Sequence, residues 1–550
     1  MKLHLSKLGL AGALTLAAGS STGLAQTFHE SLDSRAWELA YAVRETADGG
    51  FVTAGLIYDQ QSFNSDFHVV RYDFLGNPVW SVRYGQPNTD DYACSIQQTP
   101  DGGFIVSGNT DGFGPDLNVA AIRLDGGGNL IWSWVYQGDG MYEDSTGGVT
   151  GAQILDSFSD GSAAIVGRKI YQPPAGGIPR QGGQLLRIGN NGVPLFNKLY
   201  FAPVPANGNE ARAVTFTDIQ NGGTAQGFAI VGTISPDREI DPNGLDTDVL
   251  VVRAAPNGAV LASRKFGTFE SVDNQLLPNS DQGYGIDLGT FNAPVAAPDL
   301  VIAARTTPSS VLNESTQFLR LDAALNIKSV RLYSVNSGTM TPGSGAIREV
   351  RSDGSVALVG TSFYGDGGAT AWMSRVDPNG DPIWDRFYGR DVGPTFGDAV
   401  IPPPDSLPTS GFVLAGGFNG FLTTGNNPAD VYLLRSDTIG VTGCNEECFN
   451  PEVVQPVITK QDIPLTVLDI QGYTLFEGQL QRVIMKPTVF CSGRLCAGDV
   501  NNDGVVDFGD FLAFFNGYDT FDLSADLNGD CVVDFGDFLI FFNLYDTGCL

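Results

Sequence analysis

Short runs of alternating apolar and polar residues dominate the first 443 residues of the chain. The pattern is clearest in residues 41–85, where four runs are separated by glycine-containing turns. Alternation with a period of two is typical of β-strands that bury one face. Gly50 and Gly76 lie where such turns need residues that tolerate positive φ. The four predicted strands cover residues 41–46, 51–55, 66–71 and 79–84.

The same four-strand pattern returns along the chain, most clearly in residues 99–132. Four strands repeated seven times predict a mainly β protein with a seven-bladed β-propeller over residues 27–443, because radial packing buries both faces of each sheet. A linear β-solenoid is the alternative architecture. Each predicted third strand carries an arginine, at intervals of 52 to 67 residues: Arg71, Arg123, Arg187, Arg253, Arg320, Arg375 and Arg435.

The N-terminal residues 28–32 match the position of a fourth strand but lack the three strands that should precede it. We expect them to complete the last unit by pairing beside residues 431–435. Such a latch would close the ring and remove a free sheet edge.

The repeated arginines have two interpretations. They could form a ring of cations that binds an acidic ligand, or they could stabilise each unit by bonding neighbouring carbonyls or aspartates. The second is favoured because a residue needed in every unit usually serves the unit. Four aspartates that precede third strands are candidate turn or ion-pair partners: Asp66, Asp116, Asp248 and Asp430. Three tryptophans that begin fourth strands are expected to pack between units rather than stack on sugars: Trp80, Trp132 and Trp384.

The charge balance argues against nucleic acid and anionic lipid as partners. The chain has 61 acidic and 31 basic residues, a formal charge of −30. Such a surface repels phosphate and attracts divalent cations. Residues 1–25 read as an export signal, with Lys2 and Lys7 ahead of a short apolar run and small residues before Gln26. No later stretch is long and apolar enough to span a bilayer, so we expect an exported protein, extracellular or at the cell surface.

Cysteine usage agrees with an oxidising compartment. Cys94 is alone in a predicted strand and is expected to be buried. The other six fall in the last part of the chain, where disulfides are favoured over a zinc site because no histidine is nearby. Residues 444–496 are predicted to be a small β appendage stapled by cysteines, or a semi-rigid spacer. The six cysteines are Cys444, Cys448, Cys491, Cys496, Cys531 and Cys549.

Two acidic loops of the same design lie in residues 497–550. Oxygen-bearing side chains occupy loop positions 1, 3, 5, 9 and 12 in both, and a backbone carbonyl at position 7 would complete the shell of one Ca²⁺ per loop. Two polar surface turns are the alternative, which the duplication disfavours. The predicted ligands are Asp499, Asn501, Asp503, Val505, Asp507 and Asp510 in the first loop, and Asp526, Asn528, Asp530, Val532, Asp534 and Asp537 in the second.

Catalytic motifs are scarce. Of three histidines, His4 belongs to the export signal, and His29 and His68 lie in predicted strands, which disfavours His-dependent nucleophilic catalysis. No glycine-rich phosphate loop opens a helix. Paired carboxylates remain open, since acidic residues are abundant. A ligand would be expected at the variable loops on one face of the propeller, in residues 173–181, 236–246 and 364–369.

The last 55 residues resemble GC-type dockerin domains of exported bacterial proteins, with two Asp-x-Asn-x-Asp loops, each followed by an apolar helix. Cys496 before the first loop and the ending Gly548-Cys549-Leu550 carry the rest of the resemblance. It implies calcium in both loops, a clasp between Cys496 and Cys549, and a role in anchoring or sorting. The middle of the chain more loosely resembles propeller repeats of exported bacterial proteins.

The chain departs from the dockerin pattern at two places. Position 6 of the second loop is Cys531, where a residue with positive φ is usual, at a cost of about 1 kcal/mol. Positions 10 and 11 are Phe-Gly in both loops, where dockerins that bind cohesins commonly have small hydroxyl residues, which argues against a cohesin partner. Aromatic residues fill the helices and should form a small core, and any left outside would make a partner-binding patch.

Together these features predict an exported, non-catalytic propeller protein that binds a protein or a glycan. A calcium-loaded dockerin-like tail would attach or sort it through an unidentified protein partner or sorting machinery. The alternative is a secreted polysaccharide hydrolase or lyase with carboxylates in the propeller channel.

Overall fold

The computed structural model describes most of the chain from Phe28 to Thr547. The described residues are 28–33, 36–59, 63–113, 117–136, 153–154, 161–171, 180–203, 213–221, 227–235, 247–272, 275–291, 297–308, 313–335, 338–364, 369–389, 395–401, 411–419, 429–442, 446–448, 451–470, 472–492, 498, 500–501, 506–522, 525–527 and 532–547. No helix among them is long and apolar enough to cross a membrane.

Each copy of the repeat contributes four antiparallel strands side by side, in chain order in copies 1 to 6. Copies 1 to 3 comprise β2 (Trp37–Glu45), β3 (Phe51–Asp59), β4 (Asn64–Tyr72) and β5 (Pro78–Gly85); β6 (Asp91–Gln98), β7 (Phe104–Thr110), β8 (Asn118–Leu124) and β9 (Leu130–Tyr136); and β10 (Gln153–Ile154), β11 (Ala163–Tyr171), β12 (Arg180–Ile188) and β13 (Pro194–Phe201).

The remaining copies follow the same plan, with β18 (Gln275–Pro278) as an added strand against the end of β17. Copies 4 to 7 comprise β14 (Val214–Asn221), β15 (Phe228–Ile234), β16 (Asp248–Ala254) and β17 (Val260–Val272); β19 (Ser280–Gly289), β20 (Asp299–Thr307), β21 (Ser315–Leu321) and β22 (Ile327–Ser334); β23 (Gly338–Glu349), β24 (Val356–Tyr364), β25 (Ala369–Val376) and β26 (Pro382–Tyr388); and β27 (Thr395–Ile401), β28 (Val413–Asn419), β29 (Ala429–Arg435) and β1 (Phe28–Asp33).

The mainly β propeller fold is confirmed, but the sheets number six rather than the seven predicted. Copies 6 and 7 share one ten-stranded sheet, because β23 and β27 meet through the parallel pair Gly345 and Ala399. Both residues are small, so the two backbones can approach at this point. The periodicity of the sequence gives the number of repeat copies. It does not predict whether the first strands of two copies pair with each other.

Apolar clusters lie between consecutive copies and supply the core. In one of them, Val69 and Val82 of copy 1 pack with Val106 and Ile122 of copy 2. The cluster that contains Val43, Val70, Ala415 and Leu433 joins copy 7 to copy 1 and closes the ring. Each sheet therefore buries both faces against its neighbours, which accounts for the continuous burial of third strands such as β8 and β16.

The predicted latch is confirmed. Strand β1 pairs antiparallel with β29, with Phe28 opposite Arg435 and Leu32 opposite Val431. The N-terminal strand thus supplies the fourth strand of copy 7. Because this strand comes from the opposite end of the propeller sequence, the two ends of the repeat array are held together by a backbone ladder.

Glycines within the second strands of copies 1 and 2 have a steric cause. A register shift between the first and second strands in copies 1 and 2 brings a backbone carbonyl close to the glycine. A Cβ atom at Gly55 would lie 1.7 Å from the carbonyl oxygen of Leu39, and one at Gly108 would lie 2.1 Å from that of Tyr92. Glycine is required at these positions because no side chain fits there.

Residues 446–492 differ from the appendage or spacer that the sequence predicts. They form seven short strands, each of which adds to the outermost strand of one copy, and we call this segment the belt. The belt strands are β30 (Glu446–Cys448), β31 (Glu452–Val454), β32 (Val457–Asp462), β33 (Thr466–Asp469), β34 (Thr474–Leu475), β35 (Gln479–Arg482) and β36 (Lys486–Ser492).

The belt visits the copies in reverse order. Strands β30 to β35 pair with β26, β22, β17, β13, β9 and β5, in that order, and β36 pairs with β1. It therefore makes one circuit around the outside of the ring and covers edges that would otherwise be open to pairing with other chains. Buried belt side chains such as Phe476 and Ile463 also extend the clusters between copies.

The described part of the tail contains two helices, α1 (Phe508–Thr520) and α2 (Phe535–Thr547). Their core includes Phe514 and Phe541, which are buried and stacked with ring centroids 4.3 Å apart. The cluster around them consists of tail residues. The predicted aromatic core is therefore present, while Phe508, Phe535 and Phe542 lie exposed.

Candidate functional site

The first acidic loop is organised by Asp510, which is buried at the start of α1. Its Oδ1 accepts a hydrogen bond from the Asn501 backbone N–H at 3.0 Å, and its Oδ2 accepts one from the Asp507 N–H at 2.8 Å. Asp507 caps the helix, because its side chain accepts from the Gly509 N–H at 2.6 Å. This reciprocal capping box satisfies donors at the helix N-terminus and draws loop positions 3, 9 and 12 together.

The second loop has nearly the same arrangement. Buried Asp537 accepts from the Leu527 N–H at 2.7 Å through Oδ1 and from the Asp534 N–H at 2.8 Å through Oδ2. Asp534 accepts from the Gly536 N–H at 2.7 Å. The duplication seen in the sequence is therefore also a duplication of local geometry, in which the last aspartate of each loop folds back onto the loop backbone.

The donor set fits a hard divalent cation. Ionised aspartates are acceptors only, and each carboxylate oxygen that accepts one backbone N–H retains a lone pair for a metal. The described part of each loop does not by itself contain a cluster of three or more metal-binding side chains. Seven of the predicted ligands are described: Asn501, Asp507, Asp510, Asp526, Val532, Asp534 and Asp537. The other five lie outside the described residues: Asp499, Asp503, Val505, Asn528 and Asp530.

A second candidate site lies at the centre of the ring, where first strands of different copies meet. Four charged residues lie there, which we call the axial cluster: Arg44 on β2, Asp218 on β14, Asp287 on β19 and Arg348 on β23. Arg348 Nη1 is 4.0 Å from Asp218 Oδ2. The cluster joins copies that are distant in sequence, so no local sequence motif predicts it.

Electrostatics in the axial cluster is set by burial. Burial raises the pKa of Asp218 to about 6, and the nearby guanidinium groups of Arg348 and Arg44 oppose that rise. Burial, with repulsion from Arg348, lowers the pKa of Arg44 to about 9. Two arginines and two aspartates balance one another formally, so the four residues of the axial cluster have no formal net charge when all are ionised.

The axial carboxylates serve the fold through hydrogen bonds. Asp218 accepts from the Ile219 N–H at 2.8 Å and the Ile286 N–H at 3.0 Å. Asp287 accepts from the Glu349 N–H at 2.9 Å, which links copy 5 to copy 6. This arrangement differs from the pair of carboxylates flanking a sugar that glycoside hydrolysis uses, because each aspartate bonds backbone and lies near an arginine.

The structural interpretation of the third-strand arginines agrees with their contacts. Arg123 donates to Asp101 at 2.7 Å, and Arg320 donates to Asp299 at 2.9 Å. Several also reach a carbonyl in the next copy: Arg187 to Pro256, Arg320 to Pro378, Arg375 to Thr438, and Arg435 to Phe74. The last of these bonds joins copy 7 to copy 1. The arginines therefore tie neighbouring copies together.

Two of the aspartates predicted to precede third strands lie inside those strands, and they pair with fourth-strand residues rather than with the third-strand arginines. Asp66 pairs with Arg83 and Asp248 with Lys265, which are fourth-strand residues of the same copies. Asp116 lies outside the described residues. Trp80 and Trp132 pack between copies as predicted, and each indole donates to a carbonyl of the next copy, Gly126 at 3.1 Å and Asn190 at 2.8 Å.

The sequence patterns did not predict one set of repeated residues that bond neighbouring copies. Tyrosines near the ends of fourth strands donate their hydroxyls to a turn glycine carbonyl of the next copy: Tyr136 to Gly192, Tyr200 to Gly258, Tyr333 to Gly380, and Tyr388 to Gly440. An aromatic residue at this position in each of these copies was the available signal. The predicted ligand loops at 173–181, 236–246 and 364–369 lie largely outside the described residues.

Both histidines predicted in strands are there, His29 in β1 and His68 in β4. His68 is buried, and its Nε2 lies 2.9 Å from Ser81 Oγ. Burial lowers the pKa of His68 to about 3, so the ring is neutral at physiological pH. Cys94 is buried as predicted, and its Sγ accepts from Asn109 Nδ2 at 3.5 Å.

Comparison with known proteins yields only distant structural likeness. No family model matches the chain, and no curated protein matches it. A protein of unknown function from Dyadobacter fermentans DSM 18053 aligns with a TM-score of 0.38 and 12% identity, over 74% of this chain and 98% of that one.

Two rhamnogalacturonan lyases also align. YesW has a TM-score of 0.25 and 10% identity over 72% of this chain and 91% of its own, and exotype YesX has 0.23 and 12% over 72% and 74%. At these TM-scores the likeness carries no inference about activity, and the propeller assignment depends on the strand pairing.

Proposed function

We propose that this chain is an exported, non-catalytic propeller protein whose C-terminal module binds two calcium ions and attaches or sorts its carrier at the cell surface. The propeller face binds a protein or a glycan. An export signal in residues 1–25 delivers the chain, and the dockerin-like module in residues 497–550 engages a protein partner or sorting machinery.

The duplicated loop-helix geometry is the observation that carries this proposal. Buried Asp510 and Asp537 each accept one backbone N–H from the start of their loop, at position 3 in the first loop and position 2 in the second, and the predicted ligands all offer oxygen atoms. Calcium, when bound, supplies the positive charge that lets these acidic side chains converge. Asp499, Asn501, Asp503, Asp507 and Asp510 hold the first ion with the Val505 carbonyl, and the corresponding six residues from Asp526 to Asp537 hold the second.

The exposed faces of the two helices support attachment through a partner. Phe508, Leu512, Phe535 and Leu539 are all more than half exposed although they are large and apolar. They occupy equivalent positions in the two loop-helix units, so the module presents the same apolar pattern twice. Exposed apolar residues grouped in this way mark binding surfaces more often than isolated ones do.

The propeller contributes a rigid binding platform. We propose that copies 6 and 7 act as two separate blades whose strands are linked by the parallel pair Gly345 and Ala399, so that the ring functions with seven units. We do not extend the proposal to catalysis, because the axial carboxylates are engaged by backbone donors and arginines. The strongly acidic composition favours cationic or neutral ligands over nucleic acid.

Isothermal titration calorimetry of the full chain with CaCl₂, after treatment with EDTA, tests the metal assignment. We expect binding of two calcium ions per chain. Asp499→Ala and Asp526→Ala should each remove one of the two, because position 1 contributes a carboxylate to only one loop.

Asp519→Ala is the matched control, since Asp519 lies exposed on α1 outside the loop positions. It should leave the stoichiometry at two. Absence of heat for the unaltered chain at millimolar calcium would refute the calcium proposal. A pull-down from culture medium and cell envelope, with and without chelator, then tests attachment.

A further inference from the structure

One end of copy 1 differs from the matching end of the other copies. Here the first strand begins opposite the end of the second strand, and in copy 1 the two paired residues are Trp37 and Tyr58. Their ring centroids lie 5.5 Å apart, and Trp37 is 41% exposed. The matching pairs in the other copies where both residues are described contain at most one aromatic residue: Asp90 and Asp111, Ala213 and Ser235, Ser280 and Thr307, and Thr339 and Phe363.

In copies 2 and 5 the first residue of this pair ties its copy to the preceding one. Asp90 Oδ1 accepts hydrogen bonds from the Ser65 N–H and hydroxyl at 2.9 and 3.1 Å. Ser280 Oγ lies 2.9 Å from Oγ1 of Thr247, the residue of copy 4 that matches Ser65. Polar residues at this position therefore serve the fold. The partly exposed aromatic pair of copy 1 needs another explanation.

A third aromatic residue lies beside this pair under backbone strain. Phe63 precedes β4 in the loop that follows β3, and it is 72% exposed with a φ of +60°. A bulky residue at positive φ is a backbone outlier, and a side chain this exposed gains little from burial to offset the strain. Such outliers cluster at ligand-binding sites. The loop is the copy 1 counterpart of the variable loops at which a ligand is expected.

The strand register places the aromatic pair on the sheet face that borders copy 2. Tyr58 pairs with Trp37 on one side and with Ser65 on the other, and directly paired residues share a sheet face. Ala54 lies on the same face of β3, and it packs in the apolar cluster between copies 1 and 2. The bond from Ser65 to Asp90 of copy 2 agrees with this placement. The pair therefore lies at the mouth of the boundary between copies 1 and 2.

Two carboxylates lie on the copy 2 side of this mouth. Asp90 is partly exposed and bonded to Ser65, and exposed Asp111 accepts from the Asp90 N–H at 2.8 Å. Within the described part of the chain, these bonds engage Oδ1 of each carboxylate and leave Oδ2 as an acceptor. Aromatic faces next to carboxylate acceptors suit a sugar ring, which has apolar C–H groups on its face and hydroxyl donors at its edge.

We propose that this mouth, formed by Trp37, Tyr58 and Phe63 with Asp90 and Asp111, binds a neutral glycan. The inference rests on the proposed function, because it names the ligand class and the place of binding on the propeller face. Sugar rings stack on the aromatic side chains, and their hydroxyls donate to the two aspartates. Acidic glycans are excluded, because the same aspartates repel them in a chain whose formal charge is −30.

Isothermal titration calorimetry of the full chain tests the ligand class. The neutral probes are cellohexaose, xylohexaose, mannohexaose and laminarihexaose, and oligogalacturonate is the acidic probe. We expect at least one neutral probe to bind and the acidic probe not to bind. Binding of none of the neutral probes, or of the acidic probe alone, would overturn the proposal. A chain that still binds two calcium ions in the same buffer would show that this inference had failed while the calcium proposal stood.

Substitutions of Trp37 test the place of binding. Trp37→Ala should raise the Kd for the neutral glycan about tenfold, because it removes one aromatic face, and Trp37→Phe should restore part of the loss. Phe363→Ala is the matched control, since Phe363 is an exposed aromatic residue at the position of copy 6 that matches Tyr58. It should leave the Kd within about twofold. Equal losses in Trp37→Ala and Phe363→Ala, or no loss in either, would refute the placement.

Phe63→Gly separates binding from folding. Glycine adopts positive φ without strain, so this variant should keep or raise the Tm of the ring while it weakens glycan binding. Thermal unfolding followed by circular dichroism gives the Tm, and calorimetry with the same neutral glycan gives the Kd. A lower Tm with unchanged binding would mean that Phe63 serves the fold, and it would contradict its place in the site.

Discussion

The ring and the tail bury apolar side chains on different scales. In the ring, clusters at each boundary between copies combine residues from two copies, and at most boundaries from the belt as well. In the tail, one small cluster around Phe514 and Phe541 carries two helices and two acidic loops. The ring can therefore be stable through burial alone, whereas so small a module usually needs a metal or cross-links.

The ring and the tail also differ in the surroundings of their acidic residues. The ring buries aspartates with hydrogen-bond donors, as at Asp281, which accepts from Thr268 and Thr306. The tail concentrates aspartates in two loops, where Asp510 and Asp537 each accept two backbone N–H bonds. Buried aspartates of the ring such as Asp281 thus bond to donors of the ring itself, whereas we propose that the loop aspartates of the tail also bind calcium.

The largest expected effect concerns the belt. Phe476→Ala should lower the free energy of unfolding of the ring by about 3–5 kcal/mol, because the side chain is buried between copies 1 and 2 and contacts Phe67 and Tyr84. Chemical denaturation followed by tryptophan fluorescence measures the loss. The neighbouring Leu475→Ala, at an exposed position, should change it by less than about 1 kcal/mol. If Phe476→Ala lowered the free energy of unfolding no more than Leu475→Ala does, the belt would not stabilise the ring at this boundary.

A matched substitution in the tail sharpens the contrast. Phe514→Ala removes a buried ring of comparable size, with an expected local loss of about 3–5 kcal/mol, sufficient to unfold the small module. The unfolding transition of the ring should stay where it is, because the cluster of Phe514 consists of tail residues. Differential scanning calorimetry separates the two transitions. A shift of the main transition would show that ring and tail fold as one unit.

A smaller effect is expected from pH. Burial raises the pKa of Asp281 to about 7, from about 3.9 in an unfolded chain. The folded state therefore holds a proton that the unfolded state releases, and the free energy of unfolding should fall by about 1–3 kcal/mol as pH rises from about 4 to about 7.

Asp281→Asn should flatten this slope in denaturation curves collected between about pH 4 and pH 7. Asp322→Asn is the control, because hydrogen bonds from Asn326 and Ala324 outweigh burial and lower the pKa of Asp322. Its contribution is lost only as pH falls below this window, so the slope should persist. An unchanged slope in Asp281→Asn would assign the pH dependence to other groups.

The smallest effect concerns the tyrosine bonds between copies. Tyr200→Phe should cost about 0.5–1.5 kcal/mol, because it removes the hydroxyl that donates to the Gly258 carbonyl at 2.5 Å while keeping the ring. Tyr58→Phe is a suitable control, since that hydroxyl takes no part in the series of bonds to turn glycines. If the two variants had the same free energy of unfolding in urea, the bond from Tyr200 to Gly258 would not contribute to the stability of the ring.

Several elements could be predicted from the sequence because their physical causes are local. Apolar, β-branched runs between glycine-containing turns identified strands such as β3 and β8, and the shared spacing of Arg71 and Arg123 revealed the repeat. The latch also followed from position within the repeat, since residues 28–32 had no strands before them. In the tail, the spacing of acidic residues predicted loops whose capping geometry is duplicated, although their metal content stays a prediction.

The belt could not be predicted, because its strands are two to seven residues long and lack strong alternation. Short strands of this kind are specified by the edge that they meet, and each edge belongs to a copy that lies far away in sequence. The axial cluster escaped for the same reason, since Arg44 and Asp218 meet only when copies 1 and 4 face each other across the ring.

The sequence by itself therefore determined the repeating strands, their turns and the composition of the acidic loops, because these depend on neighbouring residues and on periodicity. Tertiary structure alone decided that two copies join in one sheet, that residues 446–492 encircle the ring, and which charges meet at its centre. Those features arise from contacts between segments tens to hundreds of residues apart, which depend on how the ring closes and leave no local pattern in the chain.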